Sequence, residues 1–493
     1  MVKNVVFVAA EVFPFAKVGG LADVAGALPK ALYELGVDIV VFMPYYGDVK
    51  KKADDFGISD AGIAGLKVKL DGKVEEFQLF QAKLPDSDVP IYFIANERLF
   101  GREGVYLDPV TKKSFPDTAE RLVFFQKAVF EAVVALGTNP QILHVNDNHT
   151  ALMPAFLKLA NGLSTNWSRT KSLLTIHNLA YQGVFDKDVL DIIGLGWELF
   201  YPTGPFEFYG KVNFLKVGII FADAVNTVSP TYKEEIQTPE FGEGLDGVLR
   251  EHADKLFGIL NGVDYSVWDP RVDKFIPHHY WLDDLTGKAK MKKLLLKEYD
   301  LPYDAERPLI GMISRMTEQK GYDLLADAID ELMELDLQLV ILGSGDPKYE
   351  KFFIEKSKAY PEKLGVKTGF HAELAHYIEA GSDMFLMPSR FEPCGLNQMY
   401  SMRYGTPPIA HKVGGIADTV VDADENPELG TGFLFTRYDA DALLKAVQRA
   451  LMAFRDRERW LKIMQRGMKM DFSWESSARN YLKLYNEIYE GNL

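Results

Sequence analysis

Apolar residues in this chain gather in short, nearly unbroken runs. NVVFVAA (4–10), DIVVFMP (38–44), PIYFIA (90–95), QILHV (141–145), SLLTIH (172–177) and DAVNTVS (223–229) form one series. Strands of a parallel sheet covered on both faces have this character. A second series is LFGIL (256–260), PLIGMIS (308–314), LQLVILG (337–343), DMFLMPS (383–389) and PPIAH (407–411). Helix-period segments separate the strands in both halves, as at 119–136 and 323–335. The pattern predicts two doubly wound α/β domains in tandem. One stretch alternates instead: LKVKLDGKVEEFQLF (66–80), turning at Asp71-Gly72, reads as an inserted β-hairpin. The junction is expected near 250–260, after the polar stretch TPEFGEGLDG, which gives domains 1–255 and 256–470. The amphipathic segment SWESSARNYLKLYNEIY (473–489), with Ser473 as its cap, leaves 471–493 as a terminal helix expected to pack back on the first domain.

At 493 residues the chain exceeds what one core organises, and its 47% hydrophobic and 12% aromatic content suffices for two. No run approaches the roughly 18 to 20 uncharged residues of a membrane helix. The opening MVKNVVFVAAEVF has no small-residue cleavage site and is interrupted by Glu11, so the expected location is the cytoplasm. A single cysteine, Cys394, excludes an internal disulfide and a cysteine zinc cluster. The formal charge of −15 disfavours nucleic acid and anionic membrane as partners. An anionic ligand therefore needs a local site.

Such sites are offered where strands run into loops. KVGG (17–20) follows the first strand and recurs as KVGG (412–415) late in the chain. Glycines let backbone approach a phosphate at a helix start, and Lys17 adds a point charge; the alternative is a plain turn. Neither copy is G-x-G-x-x-G, and LGSGDP (342–347) has Lys348 where the third glycine belongs, so a nicotinamide site is weakly supported. SRMTEQKGYDLL (314–325) places Arg315 and Lys320 before a helix starting near Gly321, which suits a diphosphate unless both are merely solvated charges. In PSRFEPCGLNQMYSMRYG (388–405), Glu392 and Cys394 stand at a helix entry, where a carboxylate also favours the helix dipole and a lone cysteine is often packing. HVNDNHT (144–150) and TIHNLAYQG (175–183) place Asp147 and His177 at strand ends, although a lone histidine is more often structural. His144, Asp147, His149 and His177 lack a metal-ligand spacing, and no Walker loop or G-x-S-x-G elbow is present.

Taken in order, KVGGLADVAGALP, TIHNLAYQG, ILNGVD, SRMTEQKG, PSRFEPCGLNQMY and GGIADTV resemble bacterial glycogen synthase and plant starch synthase, from Phe7 to about Tyr485. The resemblance implies two facing Rossmann-like domains of the GT-B glycosyltransferase architecture with a cleft between them. It implies retaining transfer of glucose from ADP-glucose, or alternatively UDP-glucose or both, to the non-reducing end of an α-1,4-glucan. Carried over by position, Lys17, Gly19 and Gly20 meet the donor's sugar and phosphates, and Arg315 and Lys320 neutralise the leaving diphosphate. Asp147, His177 and Glu392 contact the transferred glucose, His177 through its backbone carbonyl. Phe370, Cys394, Gly395, Leu396 and Asn397 complete the donor site, and Tyr106, Asn178 and Asn261 belong to the sugar and acceptor side. No metal and no cofactor is implied. Three positions depart from the family: Asn148 replaces a tryptophan, Phe370 a tyrosine expected on the adenine, and Asn397 a threonine. A nicotinamide oxidoreductase lacks the fingerprint glycines, and a non-catalytic glucan-binding protein would not need this set of charges. A phosphorolytic relative would carry a cofactor lysine in a much longer chain.

Overall fold

The computed structural model describes residues 2–160 and 162–492. The chain divides into two compact units, one of Met1–Val228, Lys233–Gly262 and Trp474–Leu493, the other of Ser229–Tyr232 and Val263–Ser473.

In the first unit the strands are β1 (Asn4–Val8), β2 (Asp38–Pro44), β3 (Ser59–Asp60), β4 (Leu66–Leu70), β5 (Lys73–Lys83), β6 (Pro90–Ala95), β7 (Ile142–Asn146), β8 (Lys171–Ile176), β9 (Val184–Asp186), β10 (Glu207–Phe208), β11 (Lys211–Asn213), β12 (Ala224–Thr227) and β13 (Leu256–Gly258). The main sheet runs β13-β12-β8-β7-β1-β2-β6-β5-β3, and β9 to β11 form a small sheet of their own. From β13 to β6 all neighbours are parallel, and β5 lies antiparallel to β6. Successive strands build outward from β1 in one direction and then from β7 in the other, which makes a topological switch point between β1 and β7.

The apolar runs are strands because helices cover both faces; every residue of β7 is buried. The alternating stretch forms the hairpin β4–β5, with Leu66, Val68 and Leu70 inward and Lys67 and Lys69 exposed. Its turn takes positive φ at Asp71 (43°) and Gly72 (72°), the handedness that matches strand twist. One strand joins the other sheet from that expected. LFGIL does not open the second series: Val225 pairs with Leu256, so β13 ends the first sheet. The helix Asp246–Glu251 makes a short crossover that returns the chain beside β12.

The helix Trp474–Glu490 packs against the helix Gly20–Glu34 and β8, burying Trp474, Tyr481 and Tyr485. The Tyr485 hydroxyl lies 2.7 Å from His144 Nδ1, and His144 Nε2 lies 2.7 Å from Thr175 Oγ1. His144 is thus a core histidine whose two ring nitrogens are both engaged. Burial holds its pKa well below the usual value, so the ring is neutral.

The second unit has six parallel strands, β14 (Leu309–Ile313), β15 (Gln338–Gly343), β16 (Leu364–Thr368), β17 (Met384–Met387), β18 (Pro408–His411) and β19 (Phe433–Phe435). Their order, β16-β15-β14-β17-β18-β19, is that of a dinucleotide-type doubly wound sheet with its switch point between β14 and β17. The helix Tyr322–Glu334 follows β14, one residue ahead of the apolar periodicity, and packs Leu324, Leu325, Ala328, Ile329 and Leu332 into one face of the core. Among the described residues no helix is long and apolar enough to cross a membrane.

The His144–Tyr485 contact ties the last helix to the first sheet. Tyr485→Phe leaves one buried ring nitrogen unsatisfied and is expected to destabilise the first unit by about 1 to 3 kcal/mol. Urea unfolding followed by far-UV circular dichroism checks this, and an unchanged midpoint would refute it.

Candidate functional site

At the β14/β17 switch point the loops enclose a pocket of about 100 Å³, lined by Lys320, Glu392, Gly395, Leu396 and Asn397 among others. The carboxylate of Glu392 is buried and accepts from Lys320 Nζ at 2.6 Å and Ser389 Oγ at 3.0 Å. Lys320 reaches it because the turn Glu318–Lys320 ends in Gly321, where φ is 78°. A β-carbon at Gly321 would stand 2.0 Å from the Pro388 carbonyl oxygen, so only glycine lets the two loops meet. Arg315 is exposed at the end of β14 and forms no ion pair among the described residues. Asn397 opens the helix Asn397–Arg403 and donates through Nδ2 to the Ile313 carbonyl at 3.3 Å, bridging the two strands of the switch point. Cys394 is buried, and its carbonyl accepts from Gln398 Nε2 at 2.9 Å. Phe370, beyond the edge strand β16, is 92% exposed, with both ring faces open.

The second KVGG loop serves this pocket from behind. A β-carbon at Gly414 would lie 1.9 Å from the Glu392 carbonyl oxygen, and one at Gly415 would lie 2.1 Å from that of Cys394. The Gly415 N–H donates to the Glu392 carbonyl at 3.1 Å. Asp418, at the end of the repeat, accepts from Thr231 N at 2.9 Å and Thr231 Oγ1 at 2.8 Å. Lys412 faces Glu425 at 3.6 Å on the surface. The glycines of this copy are fitted to main chain.

In the first unit polar groups gather at the carboxyl ends of β1, β7 and β8. Asp147 takes a left-handed conformation, φ 55°, which turns its carboxylate back over β8. There it accepts from the His177 N–H at 2.7 Å and from the Asn178 N–H. Burial outweighs these bonds and pushes its pKa up to about 7. Asn146 Nδ2 donates to the Val8 carbonyl, so its Oδ1 faces His177 Nε2 at 2.9 Å and that nitrogen carries the proton. Burial drives the His177 pKa down to about 3 and that of His149 to about 4, so both rings are neutral.

Lys17 is exposed and paired with Asp23 at 2.7 Å. Gly20 opens the helix Gly20–Glu34, and a β-carbon there would meet nothing within 4 Å. Glu11, in the sequence only a break in an apolar run, is buried just past β1. Its Oε2 accepts from Val18 N at 2.5 Å and Gly19 N at 3.0 Å, and its Oε1 from the Tyr106 hydroxyl at 3.0 Å. A carboxylate inside a hydrophobic run at a strand's carboxyl end was the available signal. Tyr106 stacks on His149 with centroids 4.6 Å apart. Asn148 is buried and donates to the Tyr181 carbonyl at 3.1 Å, fastening the loop after β7 to the loop after β8. Asn261 follows β13, three strands from β7, and its buried Oδ1 has no partner among the described residues. No group of three metal-ligating side chains occurs among them either.

Two tandem doubly wound sheets, each with its polar loops at the strands' carboxyl ends, form a two-Rossmann-domain architecture, and its family matches place it in the glycosyltransferase class. Residues 4–251 match the family described as the starch synthase catalytic domain, and residues 298–465 match the group 1 glycosyl transferases. The chain is 47% identical to the glycogen synthase of Thermosipho africanus, over 98% of this chain and 99% of that one. It is 48% identical to the glycogen synthase of Thermotoga maritima, over 98% of each. Among solved structures, the catalytic domain of starch synthase IV from Arabidopsis thaliana, bound to ADP and acarbose, superposes with a TM-score of 0.88 at 32% identity, covering 99% of this chain and 100% of that one. Sucrose-phosphate synthase from Thermosynechococcus elongatus shares the fold, with a TM-score of 0.59 at 18% identity and 99% and 100% coverage. The chain belongs to the glycogen synthase and starch synthase family.

Two measurements test the site's construction. Gly20→Ala meets open space and is expected to shift stability by no more than about 0.5 kcal/mol, whereas Gly415→Ala must displace the Cys394 backbone and is expected to cost about 2 kcal/mol or more. Thermal melts decide, and equal shifts would contradict the geometry. The second concerns pH. Asp147 is raised above its unfolded value, so the native state holds the extra proton between about pH 4 and 7, and that stabilisation is lost as pH rises through 7. His149 and His177 act in the opposite sense, losing stability as pH falls below 6.5. Asp147→Asn keeps the left-handed turn and removes only the first contribution. Its stability relative to the parent should improve from pH 5 to pH 7.5, by at most about 1.4 kcal/mol per pH unit. Parallel urea titrations that give a constant difference would show that Asp147 titrates normally.

Proposed function

We propose that this enzyme transfers glucose, with retention of the α configuration, from ADP-glucose to the non-reducing end of an α-1,4-glucan. The observation that carries the reading is the pocket at the β14/β17 switch point, where Lys320 stands on Glu392; Arg315, exposed, is next in sequence to the lining residue Ser314. Negative charge accumulates on a diphosphate as its bond to glucose breaks, and fixed cations at that point lower the barrier. Lys320 has three N–H groups, so one can hold Glu392 while another meets a phosphate. Glu392 then orients glucose hydroxyls, with Asp147, Asn178, Asn261 and the His177 backbone carbonyl as further sugar contacts. The open faces of Phe370 suit an adenine ring. Cys394, Gly395, Leu396 and Asn397 frame the phosphates with main chain at a helix start, and Tyr106 belongs to the acceptor side. The similarity to the ADP-bound starch synthase IV supports the adenine nucleotide, and the glycogen synthase relatives support a glucan acceptor.

The reaction is proposed to need neither metal nor cofactor, because Arg315 and Lys320 supply the charge that a divalent ion provides in other transferases. A cytoplasmic location accords with the single buried cysteine.

Chain growth on a maltooligosaccharide, measured separately with ADP-glucose and UDP-glucose, tests the assignment. A larger kcat/KM with ADP-glucose is expected, undiminished by EDTA. The opposite preference would reassign the donor, and loss in EDTA restored by Mg²⁺ would overturn metal independence. The two loops should separate by mutation. Lys17→Ala should lower kcat by about 10² to 10³, as for one fixed donor to developing charge. Lys412→Ala, whose amine sits on the surface by Glu425, should cost about tenfold at most. Equal losses at saturating donor would refute the division.

A further inference from the structure

We infer that Glu11 is a positioning residue that couples the donor loop to the acceptor-side aromatic, and that it restricts which loop N–H groups can meet a ligand. The inference rests on the reading just given and deepens it. Glu11 lies just past β1, 3% exposed, where an unpaired carboxylate would be costly. Three hydrogen bonds satisfy it, and they point in two directions. Oε2 gathers Val18 N–H and Gly19 N–H, the second and third amides of the glycine loop; Oε1 takes the Tyr106 hydroxyl. Tyr106 in turn is held flat against His149, two residues from Asp147.

Two consequences follow. A diphosphate cannot occupy the Val18 and Gly19 amides, because a carboxylate already fills them and a second anion there would be repelled at close range. The loop is left with the Lys17 and Gly20 N–H groups, which have no partner among the described residues, and with the exposed Lys17 amine, which Asp23 also holds. The bond to Tyr106 means that a shift of the glycine loop moves the ring beside the sugar site. A carboxylate is suited to both tasks, since it can accept on each oxygen while an apolar residue of similar size could hold neither side.

The test is steady-state glucosyl transfer from ADP-glucose to maltotetraose, with each substrate varied in turn, for the parent enzyme and four variants. Glu11→Ala should lower kcat by about 100-fold, the scale of a small misplacement, and raise KM for both donor and acceptor. Tyr106→Phe should raise KM for the acceptor alone. Because both break one bridge, the double variant Glu11→Ala/Tyr106→Phe should be no worse than Glu11→Ala. Glu11→Gln keeps an oxygen for the two loop amides and an NH2 that can donate to the Tyr106 hydroxyl oxygen, and should retain kcat and both KM values within about tenfold. Strictly additive losses, or a Glu11→Ala enzyme with both KM values unchanged, would overturn the inference. If Glu11→Ala does not fold, as a thermal melt would show, Tyr106→Phe alone tests the acceptor half, and an unchanged acceptor KM in that variant would overturn it. Calorimetric titration of ADP into each folded variant reads the loop without transfer: weaker binding is expected in Glu11→Ala, because the untethered loop no longer places Gly20 N–H and Lys17 and this outweighs release of the Val18 and Gly19 amides, and unchanged or tighter binding would overturn the claim. No transfer by the parent enzyme would instead sink the proposed reaction.

Discussion

Main chain meets main chain at the carboxyl end of the second sheet, with no room for a β-carbon. Gly321 abuts Pro388, Gly414 abuts Glu392, and Gly415 abuts Cys394. These contacts bring the loops after β14, β17 and β18 together, and the buried carboxylate of Glu392 is one result. Burying that charge is tolerable only because Lys320 and Ser389 reach it, so the glycine packing and the ion pair require one another. The amide of Asn397 takes its place around the same point.

The first unit solves a comparable problem with different groups. Its glycine loop is held by a side chain, Glu11, instead of by backbone. Its other polar groups are arranged to be neutral or shared: His149 and His177 uncharged, and Asp147 close to half-protonated near pH 7. One unit thus presents cations at its strand ends, and the other presents hydrogen-bonding groups of low net charge.

Much of this was legible in the sequence because parallel strands buried on both faces leave continuous apolar runs, and because the inserted hairpin alternates. The membership of β13 was not legible, since three apolar residues say nothing about which neighbour they pair with; the crossover from β12 decides it. Asp147 and His177 stood out as polar residues at strand ends, but the left-handed turn that joins them did not. Glu11 was hidden for a physical reason. A single carboxylate in an apolar run reads as an interruption until the loop seven residues on folds back over it. The Asn148 replacement likewise gains its meaning only from the Tyr181 carbonyl, which lies far along the chain.

The duplicated KVGG loop has a consequence for how such chains change over generations. Both copies look alike as text, and a mutational survey scored on survival would find glycine demanded at 415, where a β-carbon has no room. The first copy is open around Gly20 and held by one side chain, so drift there can alter substrate choice while the scaffold persists. The second is closed by backbone and is correspondingly inert as raw material for new specificity. Of two sister loops, only the one left loose retains the freedom to evolve.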